Sequence, residues 1–231
     1  MSDWKSHVHP HGPLTQLSPR VWQVAGSLPR IPLPRNMTIW KMADGGLWVH
    51  SAVACDDATM DEIERLGRPE VLVVPNGFHR ADAAVWKDRY PAMRVVCPEA
   101  ARPKVEEVVK VDGKDTETVG VIVHEVPGIK EGEHVYEVDA GAGHALVMCD
   151  LLFNLPHLPG FGGFVLRMLG STGRFGLTPT GKFLMVKDTR QLRKWLEEEA
   201  SAPELSLICV GHGEPVLADP ALKLKEAAER M

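Results

Sequence analysis

Three times in this chain an apolar, strand-like run stops on polar residues with ligand chemistry. VLVVP (71–75) leads into Asn76-Gly77-Phe78-His79, ALVMC (145–149) into Asp150, and LSLICV (205–210) into Gly211-His212-Gly213-Glu214. Short runs of this kind, rich in valine and leucine, fit buried strands. The C-terminal ends of such strands are where α/β proteins place their ligand sites. One strand-end Asp or His is more often a cap or a satisfied hydrogen-bonding group. Three together supply two imidazoles and a carboxylate, a set that can hold zinc, iron or manganese in an open site.

The rest of the pattern mixes strands and helices along the whole chain. Met37 to Met42 and Leu47 to His50 flank Ala43-Asp44-Gly45-Gly46, which predicts a β-hairpin. Trp40 and Trp48 fall on one face of it and read as core. Further strands are expected over 70–74, 93–97, 121–126, 134–138, 145–149 and 205–210. Between them, Asp57 caps a helix through Met60, Ile63 and Leu66, and Ala83 to Tyr90 forms a second. Asp188 caps a third with Leu192, Trp195 and Leu196 on one face, and Asp219-Pro220 opens a last one. No repeat and no linker divides the pattern. The expectation is an α/β (α+β) domain over 21–231 with a large antiparallel component, preceded by a flexible tail over 1–20. The tail holds His7, His9 and His11, with Pro10, Gly12 and Pro13 breaking regular structure.

At 231 residues the chain suits one domain with a substantial core. Its formal net charge of −5 offers no electrostatic case for nucleic acid or an anionic membrane. The opening residues lack the apolar region of a secretory signal, and no stretch is long and apolar enough to span a bilayer. The four cysteines (Cys55, Cys97, Cys149, Cys209) show no CxxC spacing and read as buried free thiols. A cytoplasmic location follows as an expectation.

Leu158 to Gly181 reads differently. Glycines at 160, 162, 163, 170, 173, 176 and 181 beside Phe161, Phe164, Met168 and Phe175 suggest a mobile loop with apolar tips, either a lid or a self-packed Ω-like loop. Gly176 to Lys182 matches G-x-x-x-x-G-K. Phe183 follows where a P-loop needs Ser or Thr, and no strand leads in, so nucleotide binding by this route is rejected.

The order of strand-end His region, then CDLLFN, then GHGEPV resembles the metallo-β-lactamase fold from about Met37 to His212. That resemblance implies a four-layer αββα sandwich with one or two metals at one edge of the paired sheets. The family's usual ligands are H-x-H-x-D-H, a His after Pro-Gly, an Asp in a Gly-Asp-aliphatic-Phe run, and a C-terminal His. Carried over, His79 matches the last His of the motif, Asp150 the bridging Asp and His212 the C-terminal His. Asn76 and Phe78 occupy the stretch of the first two histidines, and the motif Asp is missing. Ile129 follows Pro127-Gly128 where the next His belongs, and His50-Ser51-Ala52 stands in place of the supporting Asp-Thr-Gly. Every histidine of one metal site is therefore lost, while three of the four ligands of the other remain. The nearest subgroup by these features is an uncharacterised metallo-β-lactamase-like one with a degenerate motif.

The resemblance implies a hydrolase with at most one metal on His79, Asp150 and His212, with His50 as a fourth ligand or supporting partner. A metal held there lowers the pKa of water toward about 7 and makes it a nucleophile. Asp150 and His50 are the candidate catalytic residues, on an ester, thioester or lactone-type substrate. Asn76, Phe161, Phe164 and Arg174 are the candidate substrate-binding residues. Zinc is the first candidate metal, iron or manganese after it. Two alternatives stay open. One is a metal-free, inactive descendant, in which Asp150 and the imidazoles hydrogen-bond one another and the old cleft binds a small molecule or partner. The other is a non-haem-iron-type oxidoreductase. His124 and His144 read as ordinary histidines, and Glu133 and His134, after Gly132, as solvated turn residues. The partner is a small molecule; a homo-oligomer is left open, since the apolar residues of the Phe161 to Phe175 loop serve dimer contacts equally well.

Overall fold

A computed structural model describes residues 3–28, 31–130 and 133–231. The chain forms two compact units, Met1–Val123 and His124–Met231, each with its own sheet and apolar core.

The N-terminal unit is built on a seven-stranded sheet in sequential order. Its first strands, β1 (Thr15–Ser18), β2 (Val21–Leu28), β3 (Ile31–Lys41) and β4 (Leu47–His50), pair antiparallel. Then β5 (Pro69–Val73), β6 (Arg94–Cys97) and β7 (Gly113–Lys114) continue in parallel. The β3–β4 hairpin forms where expected, with Trp40 opposite Trp48 and both buried. Asp44 accepts the Gly46 N–H in its turn, and Gly45 sits at φ 90°, a conformation that favours glycine. Met37, Ile39, Leu47, Val49 and Leu72 meet Met60 and Ile63 of α2 (Asp57–Leu66) and Trp86 of α3 (Ala83–Arg89) in the core. Asp56, not the expected Asp57, caps α2: its carboxylate accepts the Thr59 N–H at 2.8 Å.

The segment expected to be a flexible tail over 1–20 is ordered from Asp3 onward; Met1 and Ser2 lie outside the described residues. Trp4 opens α1 (Trp4–His7), its indole donating to the Cys55 carbonyl at 2.9 Å while its ring meets Trp86. Gly12 and Ser27 exchange backbone bonds with Ala25 and Pro10, so the chain around His11 pairs with β2. A half-buried aromatic packed on the core and a run of backbone bonds outweigh the local breaking effect of Pro10 and Pro13.

In the C-terminal unit the sheet order is β11 (Leu205–Cys209), β10 (His144–Val147), β9 (His134–Asp139), β8 (Ile122–Glu125). β10 pairs parallel with β11 and antiparallel with β9. Leu146, Met148 and Ile208 form its core with Leu192, Trp195 and Leu196 of α7 (Thr189–Ala200) and Leu224 of α8 (Pro220–Glu229). Asp188 caps α7 as expected, accepting from the Arg190 and Gln191 N–H groups. Pro220 opens α8, but Asp219 sits at φ 51° and makes no side-chain cap.

The glycine-rich stretch is not one loop. Gly160–Met168 forms α5 and Pro179–Met185 forms α6, with Thr178 accepting the Gly181 N–H as its cap. The glycines do not all mark flexibility. A Cβ on Gly163, inside α5, would lie 1.9 Å from the Leu158 carbonyl oxygen. Glycine there lets the entering chain pass close to the helix.

All four cysteines are buried free thiols, and burial pushes the Cys55 and Cys97 thiols up to about 12. Among the described residues no helix is long and apolar enough to cross a membrane.

Candidate active site

In the N-terminal unit the relevant side chains lie just beyond the ends of β4 and β5. His50 ends β4 and pairs with Val73 of β5, so the two strands stop together. His50 is buried and stacks on Trp48, ring centroids 5.6 Å apart. The next residue, Ser51, takes φ 57°, an uncommon conformation for a residue with a side chain and one that recurs at functional sites. Its hydroxyl lies 2.8 Å from Nδ1 of His79. His79 is itself buried, while Phe78 beside it is almost fully exposed.

Asn76 shapes this loop. Its side-chain oxygen accepts the backbone N–H of Phe78 at 2.9 Å and of His79 at 3.1 Å, an Asx turn that holds His79 against Ser51. A further anchor escaped the sequence reading. Asp82, buried three residues on, pairs with buried Arg35 and accepts the Ala54 N–H at 2.9 Å; His7 Nδ1 lies 3.1 Å from its other oxygen. The network ties the start of α3 to β3 and to the segment after β4.

In the C-terminal unit the adjacent parallel strands β10 and β11 carry Asp150 and His212 just past their ends. His212 Nε2 and Asp150 Oδ1 lie 2.9 Å apart, and the His212 ring packs against Phe153. Glycines make this possible. Gly213 takes φ 101°, and a Cβ there would stand 2.1 Å from the Asn154 carbonyl oxygen. Asn154 donates its N–H to His212 and accepts that of Glu214, so the two strand-end loops are zipped together with His212 at the crossing.

Glu133 supports Asp150 from behind, and here the sequence expectation is overturned. It is not solvated in a turn; it is 4% exposed, and its carboxylate accepts the N–H groups of Cys149, Asp150 and Leu151 at 2.9–3.0 Å. Burial first, then the neighbouring Asp150 charge, push the Glu133 carboxyl up to about 8, against the pull of the three N–H bonds. Nothing local in the sequence marks this role, because the backbone it satisfies lies 16 to 18 positions away. Gly132, read as part of the same turn, lies outside the described residues.

The Pro127-Gly128 corner is held by backbone contacts within its unit. Gly128, at φ 80°, accepts the N–H groups of Lys187 and Asp188, and Ile129 packs on the core of its unit. Of the expected substrate-binding residues, Phe161 and Phe164 are exposed on α5, and Arg174 borders a shallow depression with Lys182 and Arg230.

No protein-family model and no curated protein sequence matches this chain. Solved structures do. The crystal structure of the DIM-1 metallo-β-lactamase is 12% identical with TM-score 0.63, covering 96% of this chain and 99% of that one. The same enzyme exposed to ceftazidime is 13% identical with TM-score 0.64, over 96% and 98%. The FIM-1 metallo-β-lactamase from Pseudomonas aeruginosa, in its mono-zinc form, is 11% identical with TM-score 0.63, over 97% of each chain. The chain has the metallo-β-lactamase fold.

Proposed function

We propose that this chain is a metal-dependent hydrolase with a single divalent ion, zinc ahead of iron or manganese, held by His79, Asp150 and His212. The observation that supports it most is the Asp150–His212 pair at the ends of adjacent parallel strands, in a chain of metallo-β-lactamase fold. The donor set fits such an ion. The 2.9 Å between His212 Nε2 and Asp150 Oδ1 suits two ligands of one cation, and Ser51 at His79 Nδ1 is the kind of contact that orients a ligating imidazole through its Nε2. When bound, the ion supplies Lewis-acid activation of water and of the scissile carbonyl.

The protein's own groups do the rest. Asp150 takes up the proton released by the attacking water, and Glu133 fixes the backbone that aims it. Asn76 shapes the loop that carries His79, and His50, next to Ser51 and stacked on Trp48, positions it. Phe161, Phe164 and Arg174 contact an ester, thioester or lactone substrate. The protein acts on a small molecule rather than on nucleic acid or a membrane, and its location is cytoplasmic.

One observation favours a second reading, a metal-free descendant binding a small molecule. His212 and Asp150 are close enough to satisfy each other directly, Asn76 closes a turn, and Ile129 packs against the core, uses that need no metal. Elemental analysis of untagged protein separates the two. The hydrolase reading expects Asp150→Ala to carry one metal equivalent fewer than the parent and to lose hydrolysis across aryl esters, thioesters and lactones. Equal metal content in parent and variant sinks it. Iron in place of zinc, with turnover that consumes dioxygen, would favour the oxidoreductase alternative.

A further inference from the structure

A second cluster of ligand chemistry lies wholly within the C-terminal unit, away from the strand ends that carry Asp150 and His212. His124 on β8, Glu137 on β9 and Glu199 near the end of α7 each offer a donor atom, all within 4.8 Å of one another. His124 Nε2 is 3.1 Å from Glu137 Oε2, and its Nδ1 is 3.5 Å from Glu199 Oε1. The three side chains are only 13–25% exposed.

Glu199 is in an unfavourable place for a carboxylate. It falls on the inward stripe of α7, one helical step beyond Leu192, Trp195 and Leu196, all buried. It lies in the last turn, where the helix end carries partial negative charge and cations are favoured; that turn holds no basic residue. Glu137 is beside it, and among the described residues no lysine or arginine pairs with either carboxylate. Burial and the Glu137 charge raise the Glu199 carboxyl above the ordinary range, with His124 and His144 opposing. One imidazole, even protonated, leaves two carboxylates undercompensated. His144, on the neighbouring strand, has a buried Nε2 with no hydrogen-bond partner among the described residues. It lies on the same sheet face as Leu146 and Met148, the face that packs on the helices.

We infer that His124, Glu137 and Glu199 form a second divalent-cation site, which takes zinc or a similar first-row ion and pins the end of α7 to β8 and β9. A mixed imidazole and carboxylate set selects such ions over calcium or magnesium. A divalent cation neutralises the carboxylate pair that a single imidazole leaves charged. The role is structural, and the site is independent of the hydrolase reading.

The test uses full-length, untagged Asp150→Ala protein, so that the first proposed site is disabled, titrated with zinc chloride by calorimetry and thermal melting. The expected result is one bound equivalent and a zinc-dependent rise in Tm. Adding Glu199→Gln, which keeps the shape and removes a ligand charge, should weaken binding at least tenfold and abolish the Tm shift. His124→Ala should do the same, with folding checked by circular dichroism. Cobalt(II) gives a second readout, because the Trp195 ring lies 6.0 Å from that of His124. Binding should quench tryptophan emission, and Trp195→Phe should remove most of that quenching. Absence of zinc binding in Asp150→Ala, or zinc binding undiminished by Glu199→Gln and His124→Ala, overturns the proposal.

Discussion

The two units treat their strand ends in opposite ways. In the N-terminal unit each polar residue past β4 and β5 has a partner in the same unit: Asn76 accepts backbone N–H groups of its own turn, Ser51 lies against His79, and Asp82 pairs with Arg35 and accepts the Ala54 N–H. In the C-terminal unit the side chains past β10 and β11 meet each other, while the backbone beneath them is held by a third residue, Glu133. Asn76 thus spends its side-chain oxygen on the backbone of its own loop. Where a remote carboxylate holds the backbone, the Asp150 and His212 side chains are left to meet each other.

Breaking the N-terminal network should have the largest effect. Asp82→Ala leaves the Arg35 guanidinium buried without its carboxylate, and breaking a buried pair in this way costs about 3–5 kcal/mol. Chemical denaturation should show this loss, whereas Arg35→Met combined with Asp82→Leu, which removes both charges, should recover much of it. Equal losses in the single and double variants would mean that shape rather than charge holds the segment together.

The matching experiment in the C-terminal unit is smaller and depends on pH. Glu133→Ala orphans three backbone N–H groups and should cost about 2–4 kcal/mol, with Glu133→Gln, which still accepts hydrogen bonds, costing less. Glu133 has a folded pKa near 8 against 4.5 for the free group, so the folded protein binds the extra proton between those values. Its contribution to stability is therefore fully present below about pH 4.5 and is lost as pH rises through about 8. Denaturant midpoints of the parent should fall relative to those of Glu133→Gln across that window. A parallel pH dependence in both proteins would place the titration elsewhere.

These contrasts also explain what could be read from the chain alone. The hairpin at Trp40 and Trp48, the α7 stripe and the strand ends bearing His79, Asp150 and His212 were legible because their signals are local: periodicity, turn chemistry and abrupt ends of apolar runs. The supports were not. Glu133 satisfies backbone 16 to 18 residues away, and Arg35 meets a carboxylate 47 residues on. No spacing rule links such partners. The glycine-rich stretch misled for a related reason. Gly163 is required by the approach of Leu158 to a helix, a tertiary demand that looks in sequence like freedom.

The smallest expected effect is at Asn76, and it bears most directly on how the two units differ. Its side-chain oxygen accepts two N–H groups of the loop that carries His79, both near 3 Å. Replacing it with Ala removes that acceptor from a partly buried turn and should cost about 1 kcal/mol. Asn76→Asp keeps an oxygen in the same place, and aspartate forms the same turn, so its stability should stay close to the parent's. Comparing the two variants in denaturation and in zinc affinity separates the roles given to this residue. If Asn76 acts by shaping the turn, Asn76→Ala weakens both properties together and Asn76→Asp weakens neither. If it instead contacts substrate, both variants keep stability and zinc affinity and differ from the parent in KM. The first outcome would mean that the loop's remaining polar groups serve its backbone, with His79 the one donor it still presents.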